Sequence, residues 1–147
     1  MHVFTCEDTP NGILTGVYDA WKMKIVLHCA HNDLQLLCNP SDNYALFCEY
    51  HTVAPSEEKA RKVASTLQRK LGQDFYETIL TAILAIDLSP KKKLDKADAV
   101  YHTIVAALGS PKGARILEHL SNPYIYRIFE LSRATASEAH HLKGFLR

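Results

Sequence analysis

The chain has 147 residues, 47% hydrophobic and 22% charged, with a formal net charge of +1: one domain's worth of sequence, with enough apolar content for a buried core. No apolar run approaches the ~18 residues a membrane-spanning helix needs, and the opening Met1-His2-Val3-Phe4-Thr5-Cys6 lacks the basic-then-apolar start of a secretion signal. A cytoplasmic protein without a membrane partner is therefore expected.

His2 to Cys6 reads as a short opening strand, broken by Thr9-Pro10-Asn11-Gly12, which offers caps for a helix. Ile13, Leu14, Val17, Tyr18 and Trp21 then form one apolar stripe of an amphipathic helix. Residues 24–54 hold short β-prone runs at Ile25-Val26-Leu27, Leu34 to Cys38 and Tyr44 to Tyr50, separated by Asn, Asp, Pro and Ser. They predict up to three strands or loops; the run at 25 fits an extension of the first helix equally well.

From Pro55 the pattern is helical. Ser56 caps a helix with Glu57 and Glu58 in its first turn, where the macrodipole favours them. Val63, Ala64, Leu67 and Leu71 line its inner face, and Gly72 ends it. Asp74 with Glu77 predicts a capping box for a helix that buries Phe75, Ile79, Leu80, Ile83, Leu84 and Ile86. Ser89 to Lys93 reads as a solvated loop. Asp95 and Asp98 open a helix carrying Val100, Ile104, Val105 and Leu108, stopped by Gly109. Ser110-Pro111 and Asn122-Pro123 each put proline just inside a helix start. The last helix runs from Pro123, with Tyr124, Ile128, Leu131, Leu142 and Phe145 inward. The expected fold is α+β: a small N-terminal β-sheet with one helix, then a mainly helical half of about five helices, forming a single domain over 1–147.

Charge is unevenly divided. Residues 1–87 hold 7 Lys/Arg against 11 Asp/Glu, whereas 88–147 hold 10 against 5, so an acidic polymer is expected on the C-terminal half. Lys91, Lys92 and Lys93 form the densest run, suited to phosphates rather than base edges. Tyr124 and Phe129 stand at helical spacing that predicts core packing rather than base stacking. Tyr50 and His51 are polar enough to line a groove.

The four cysteines, Cys6, Cys29, Cys38 and Cys48, contain no Cys-x-x-Cys pair, so zinc-ribbon and thioredoxin-like motifs are unsupported. Gly-rich phosphate loops and Gly-x-Ser-x-Gly elbows are absent from the sequence. The terminal histidines lack the i, i+4 pairing of a helical zinc site, and those at 28, 31, 51, 102 and 119 are scattered. No metal and no cofactor is expected.

The closing Glu138-Ala139-His140-His141-Leu142-Lys143-Gly144-Phe145-Leu146-Arg147 concentrates two imidazoles, a carboxylate and two cations. Its rank order of readings is a solvated helix face, an anion site, then acid–base chemistry with Glu138 tuning an imidazole. It ends without a polar tail or cap, so the chain is expected to be the N-terminal part of a longer natural protein.

Two stretches carry a resemblance. Asn11-Gly12-Ile13-Leu14-Thr15-Gly16-Val17-Tyr18-Asp19-Ala20-Trp21 resembles the Gly-x-Leu-Thr-x-Val-Tyr-x-Ala-aromatic block of a bacterial domain-of-unknown-function family assigned to DNA metabolism. The likeness continues through Leu88-Ser89 and closes on Glu138 to Arg147, similar to that family's Glu-x-His-Arg-hydrophobic-x-Gly-Phe-x-Arg-Phe strip. His141 departs from the usual arginine or lysine. Family members are encoded beside a radical S-adenosylmethionine (radical-SAM) protein, and related domains precede uracil-DNA glycosylase-like domains. The resemblance implies a DNA repair or modification accessory, with Glu138, His140, Gly144, Phe145 and Arg147 as the positions carried over. The leading expectation is a non-catalytic domain binding DNA or the radical-SAM partner, with phosphates met by Lys91, Lys92, Lys93, Arg127, Arg133, Lys143 and Arg147. The alternatives are a glycosylase- or nuclease-like enzyme using Glu138 and His140, and an interaction module without nucleic acid.

Overall fold

Three short strands, β1 (His2–Thr5), β2 (Leu34–Leu37) and β3 (Glu49–Thr52), form a parallel sheet in the order β2-β1-β3. This computed structural model describes residues 1–40, 47–87 and 93–133. The helices are α1 (Pro10–Leu27), α2 (Glu57–Leu71), α3 (Gln73–Leu84), α4 (Lys96–Leu108) and α5, helical over 123–133, with 3₁₀ turns at His31–Asp33 and Gly113–Glu118. A small parallel sheet followed by a helical half is the α+β arrangement expected. Among the described residues no helix is long and apolar enough to cross a membrane.

α1 starts where Thr9 accepts a hydrogen bond from the Gly12 N–H and Pro10 supplies a pre-set φ. It crosses back over the sheet as the β1–β2 connection, burying Ile13, Leu14, Val17 and Ala20 against Phe4, Leu34 and Leu36. Fully burying one such aliphatic side chain contributes about 1.5–3 kcal/mol. The run at 25 belongs to this helix, and it faces out: Ile25 is 60% and Val26 63% exposed. Thr15, with no exposed surface, fastens α1 to α2. Its hydroxyl accepts from the Ser56 N–H at 3.0 Å, while Ser56 caps α2 through Lys59 N–H.

Two carboxylates seal the outer edge of β2. Asp98 accepts from Leu36 N–H at 3.1 Å, and Asp95 from the N–H groups of Cys38 and Asn39 at 3.0 and 2.9 Å. Edge-strand donors are spaced two residues apart, and Asp95 and Asp98 sit one helical turn apart, so one helix start answers both. The same Asp95 caps α4 through Ala97 N–H. Helix cap and sheet edge are thus one structure, and this edge cannot recruit a further strand.

Several expectations are corrected. The opening strand ends at Thr5. α3 begins at Gln73 directly after Gly72, whose φ of +93° turns the chain without an intervening cap. Asp74 therefore lies inside the first turn, and Glu77 accepts from Gln73 instead. Leu84 and Ile86 are 59% and 65% exposed, with Ala82 and Ala85 in the inner positions. After Pro111 the chain makes a turn and the short 3₁₀ segment. In α5 the buried apolar residues are Ile125, Ile128 and Leu131, and Phe129 is 40% exposed rather than packed in the core.

Candidate functional site

Of the predicted phosphate contacts, Lys91, Lys92, Lys143 and Arg147 lie outside the described residues, as do the proposed catalytic pair Glu138 and His140. Arg127 is a correction. It is 5% exposed, its Nε donates to the Leu94 carbonyl at 2.9 Å, and its guanidinium pairs with Asp87. A cation already desolvated and neutralised has nothing to offer a phosphate. Lys93 reaches the surface but is held by Glu130 at 2.6 Å. Arg133 is exposed at the end of the described helix.

Among the described residues, two cavities beside the core bear on function. The first, about 400 Å³, sits beyond the carboxyl ends of β1 and β2, where parallel sheets commonly bind ligands. Its charged groups are committed to structure. Lys96, 3% exposed, donates to Asp8 at 2.9 Å and to the carbonyls of Ile83 and Ala85 at 2.9 and 2.8 Å. Asp95 already accepts from four N–H and S–H donors, and Asp87 faces Arg127. Cys38 is no nucleophile: burial, then the neighbouring Asp95, holds its thiol well above the ordinary range.

The second cavity, about 470 Å³, is a groove between α1 and α2 with α4 beneath it. Tyr18, Trp21 and Ile25 recur at i, i+3 and i+7 along α1, and Val63, Leu67 and Lys70 at i, i+4 and i+7 along α2, so each helix turns one ridge toward the other. Ile104 and Leu108 close the floor, and Lys22, Lys62 and Lys70 stand among the lining residues. The seven Lys/Arg of residues 1–87 all lie on these two helices: Lys22 and Lys24 on α1, and Lys59, Arg61, Lys62, Arg69 and Lys70 on α2. Lys59 is tied to Asp19 at 2.8 Å, whereas Lys62 makes only an exposed one-turn pair with Glu58, a contact worth a few tenths of a kcal/mol.

Behind the groove a line of rings reaches inward. Trp21 lies 4.8 Å from His31, whose Nδ1 is 2.6 Å from the hydroxyl of fully buried Tyr101. Burial, then Lys24 and His102, lowers the His31 pKa. Burial raises that of Tyr101, with Cys29 and Asp98 adding to it. Both rings are therefore uncharged near pH 7 and share one hydrogen bond. His102 continues the line, stacked on Tyr124 at 4.4 Å. These contacts fix the Trp21 ring on the groove wall.

Comparisons of the chain with protein-family models, with curated proteins and with solved structures find no match.

Proposed function

We propose that this chain is a cytoplasmic accessory domain of a DNA repair or modification system that holds single-stranded DNA in the groove between α1 and α2. The observation that carries the reading is an aromatic and aliphatic groove lined by Tyr18 and Trp21, with Lys22, Lys62 and Lys70 also lining it. Stacking a base on an exposed aromatic face contributes about 1–3 kcal/mol, and lysine ammonium groups track the backbone without reading sequence. The anion-binding surface thereby moves from the C-terminal half to the two helices that carry the basic residues of the N-terminal one.

Trp21 is the chain's sole tryptophan, so its fluorescence reports on the groove alone. Titration with an oligothymidylate is expected to quench it. With three lysines engaged, log K against log salt should fall with a slope of about −2. Replacing Lys62 and Lys70 by glutamine should cut that slope to roughly a third of its value. No quenching at low salt, or a slope near zero, refutes the reading.

A second reading is favoured by Ile25, Val26 and Leu27, which stand 60%, 63% and 49% exposed at the end of α1. They extend the apolar surface enough to seat an acidic amphipathic helix of a protein partner, such as the radical-SAM protein implied by the resemblance. That partner would shift Trp21 emission to shorter wavelength with little salt dependence. The enzymatic alternative rests on Glu138 and His140 and is tested by Glu138→Gln, which should abolish turnover without moving the melting temperature.

A further inference from the structure

Parallel pairing of β1 with β3 places His2 opposite Glu49 and Phe4 opposite His51. Residues two apart on a strand share a face, so His2, Glu49 and His51 all emerge on one side of the sheet. Their ligand atoms converge. His2 Nδ1 is 3.1 Å from His51 Nε2 and 3.4 Å from Glu49 Oε2, and the last pair is 4.0 Å apart. The point equidistant from these three atoms lies about 2.1 Å from each, the bond length zinc makes to imidazole nitrogen and carboxylate oxygen.

We propose that His2 Nδ1, His51 Nε2 and Glu49 Oε2 form a binding site for a divalent ion of the zinc class. The three ligand atoms all lie within 4.0 Å of one another, so one cation can reach all three at once. Packing holds the His51 imidazole in place: its ring stacks on Phe4 with centroids 4.8 Å apart and planes 23° apart, and Phe4 is in the core. Glu49 is 74% exposed while His2 and His51 are 19% and 31% exposed. The carboxylate is therefore free to swing out of the plane of the two nitrogens and make the site pyramidal. Two histidines and one carboxylate leave a coordination position facing solvent, the arrangement of a zinc site that also takes a water or a substrate oxygen. Two of the four cysteines are poor competitors: burial pushes the Cys6 thiol up to about 12, and burial with Asp95 beside it raises that of Cys38, so neither readily becomes the thiolate that binds metal. This site is independent of the DNA reading, because it uses no residue of the groove.

The test is calorimetric titration of the untagged full chain with zinc chloride under reducing conditions, with Co²⁺ as a spectroscopic substitute. One ion per chain is expected, with visible cobalt bands and no thiolate-to-metal charge transfer. Loss of a direct ligand should cost at least the tenfold typical of outer-shell changes, so His2→Gln and Glu49→Gln should each weaken binding about tenfold or more. His28→Asn, on exposed His28 outside the trio, should leave it unchanged. Glu49→Gln should melt with the wild type without metal, because the side chain is mostly exposed; this separates lost ligation from lost folding. Absence of heat and of thermal shift at excess zinc, full affinity in either ligand variant, or a thiolate charge-transfer band overturns the proposal.

Discussion

Arg127 separates two accounts of the helical half. A phosphate-binding arginine would be nearly neutral to stability. The structure makes it the cation of a buried pair: Arg127 and Asp87 side chains are 6% and 13% exposed, and the guanidinium also serves the Leu94 carbonyl. Removing one member of such a pair leaves an uncompensated buried charge, at about 3–5 kcal/mol. Asp87→Asn should fall at the lower end, because Glu130 lies 3.9 Å from the other guanidinium nitrogen and can take part of the charge. At about 3 kcal/mol, a chain of this size should lose roughly 6–12 °C of melting temperature. Arg127→Met should cost a similar amount by removing the guanidinium from beside Asp87. Combining Arg127→Met with Asp87→Leu should be much less harmful than the summed singles, since apolar replacement of a whole buried pair is often close to neutral. Differential scanning calorimetry on the wild type, the Asp87→Leu and Arg127→Met singles and their double measures this coupling directly. A drop below about 2 °C in Asp87→Asn, or strict additivity of the two singles, refutes the buried-pair account.

Two further outcomes follow from packing. A β-carbon at Gly12 would lie 2.4 Å from the Glu7 carbonyl oxygen, so Gly12→Ala should destabilise by about 1–3 kcal/mol in thermal melts despite alanine's better helix propensity; a stabilised variant would contradict this. Cys6 should resist iodoacetamide in the folded chain at neutral pH and react only on unfolding, because burial, then Asp95 and Asp19, pushes its thiol up to about 12. The folded pKa exceeds the unfolded one, so the stability Cys6 contributes is intact below its ordinary 9.0 and is lost as pH climbs toward about 12. Cys6→Ala should flatten that alkaline decline, and equal labelling rates in native and urea-treated chain would refute the burial.

Local rules read the helices well where a side chain does the capping. Thr9, Ser56 and Asp95 each accept the first-turn N–H expected of them. They failed at α3, where Gly72's positive φ starts the helix and leaves the Asp74–Glu77 pattern without a cap to make. The burial of Arg127 was in fact legible. It stands three residues after Tyr124 and four before Leu131, so the apolar stripe already assigned it to the inner face; its charge obscured that. Summing charge by halves concealed the groove, since acidic residues elsewhere in 1–87 outvote the cations gathered on α1 and α2. The His2–Glu49–His51 trio was beyond local reading altogether. It depends on the register of two strands whose histidines are 49 positions apart, and no periodicity within either strand encodes it.

The middle strand of the sheet is the first one synthesised. β2 and β3 have no ladder with each other; both hydrogen-bond to His2–Thr5. During translation this tetrapeptide therefore waits for partners about 32 and 47 positions downstream, and each closure is an entropic toll that the helices, built from near neighbours, escape. Helical structure should accordingly appear before the sheet in stopped-flow refolding, and clipping the leading five residues would dissolve both ladders at one stroke.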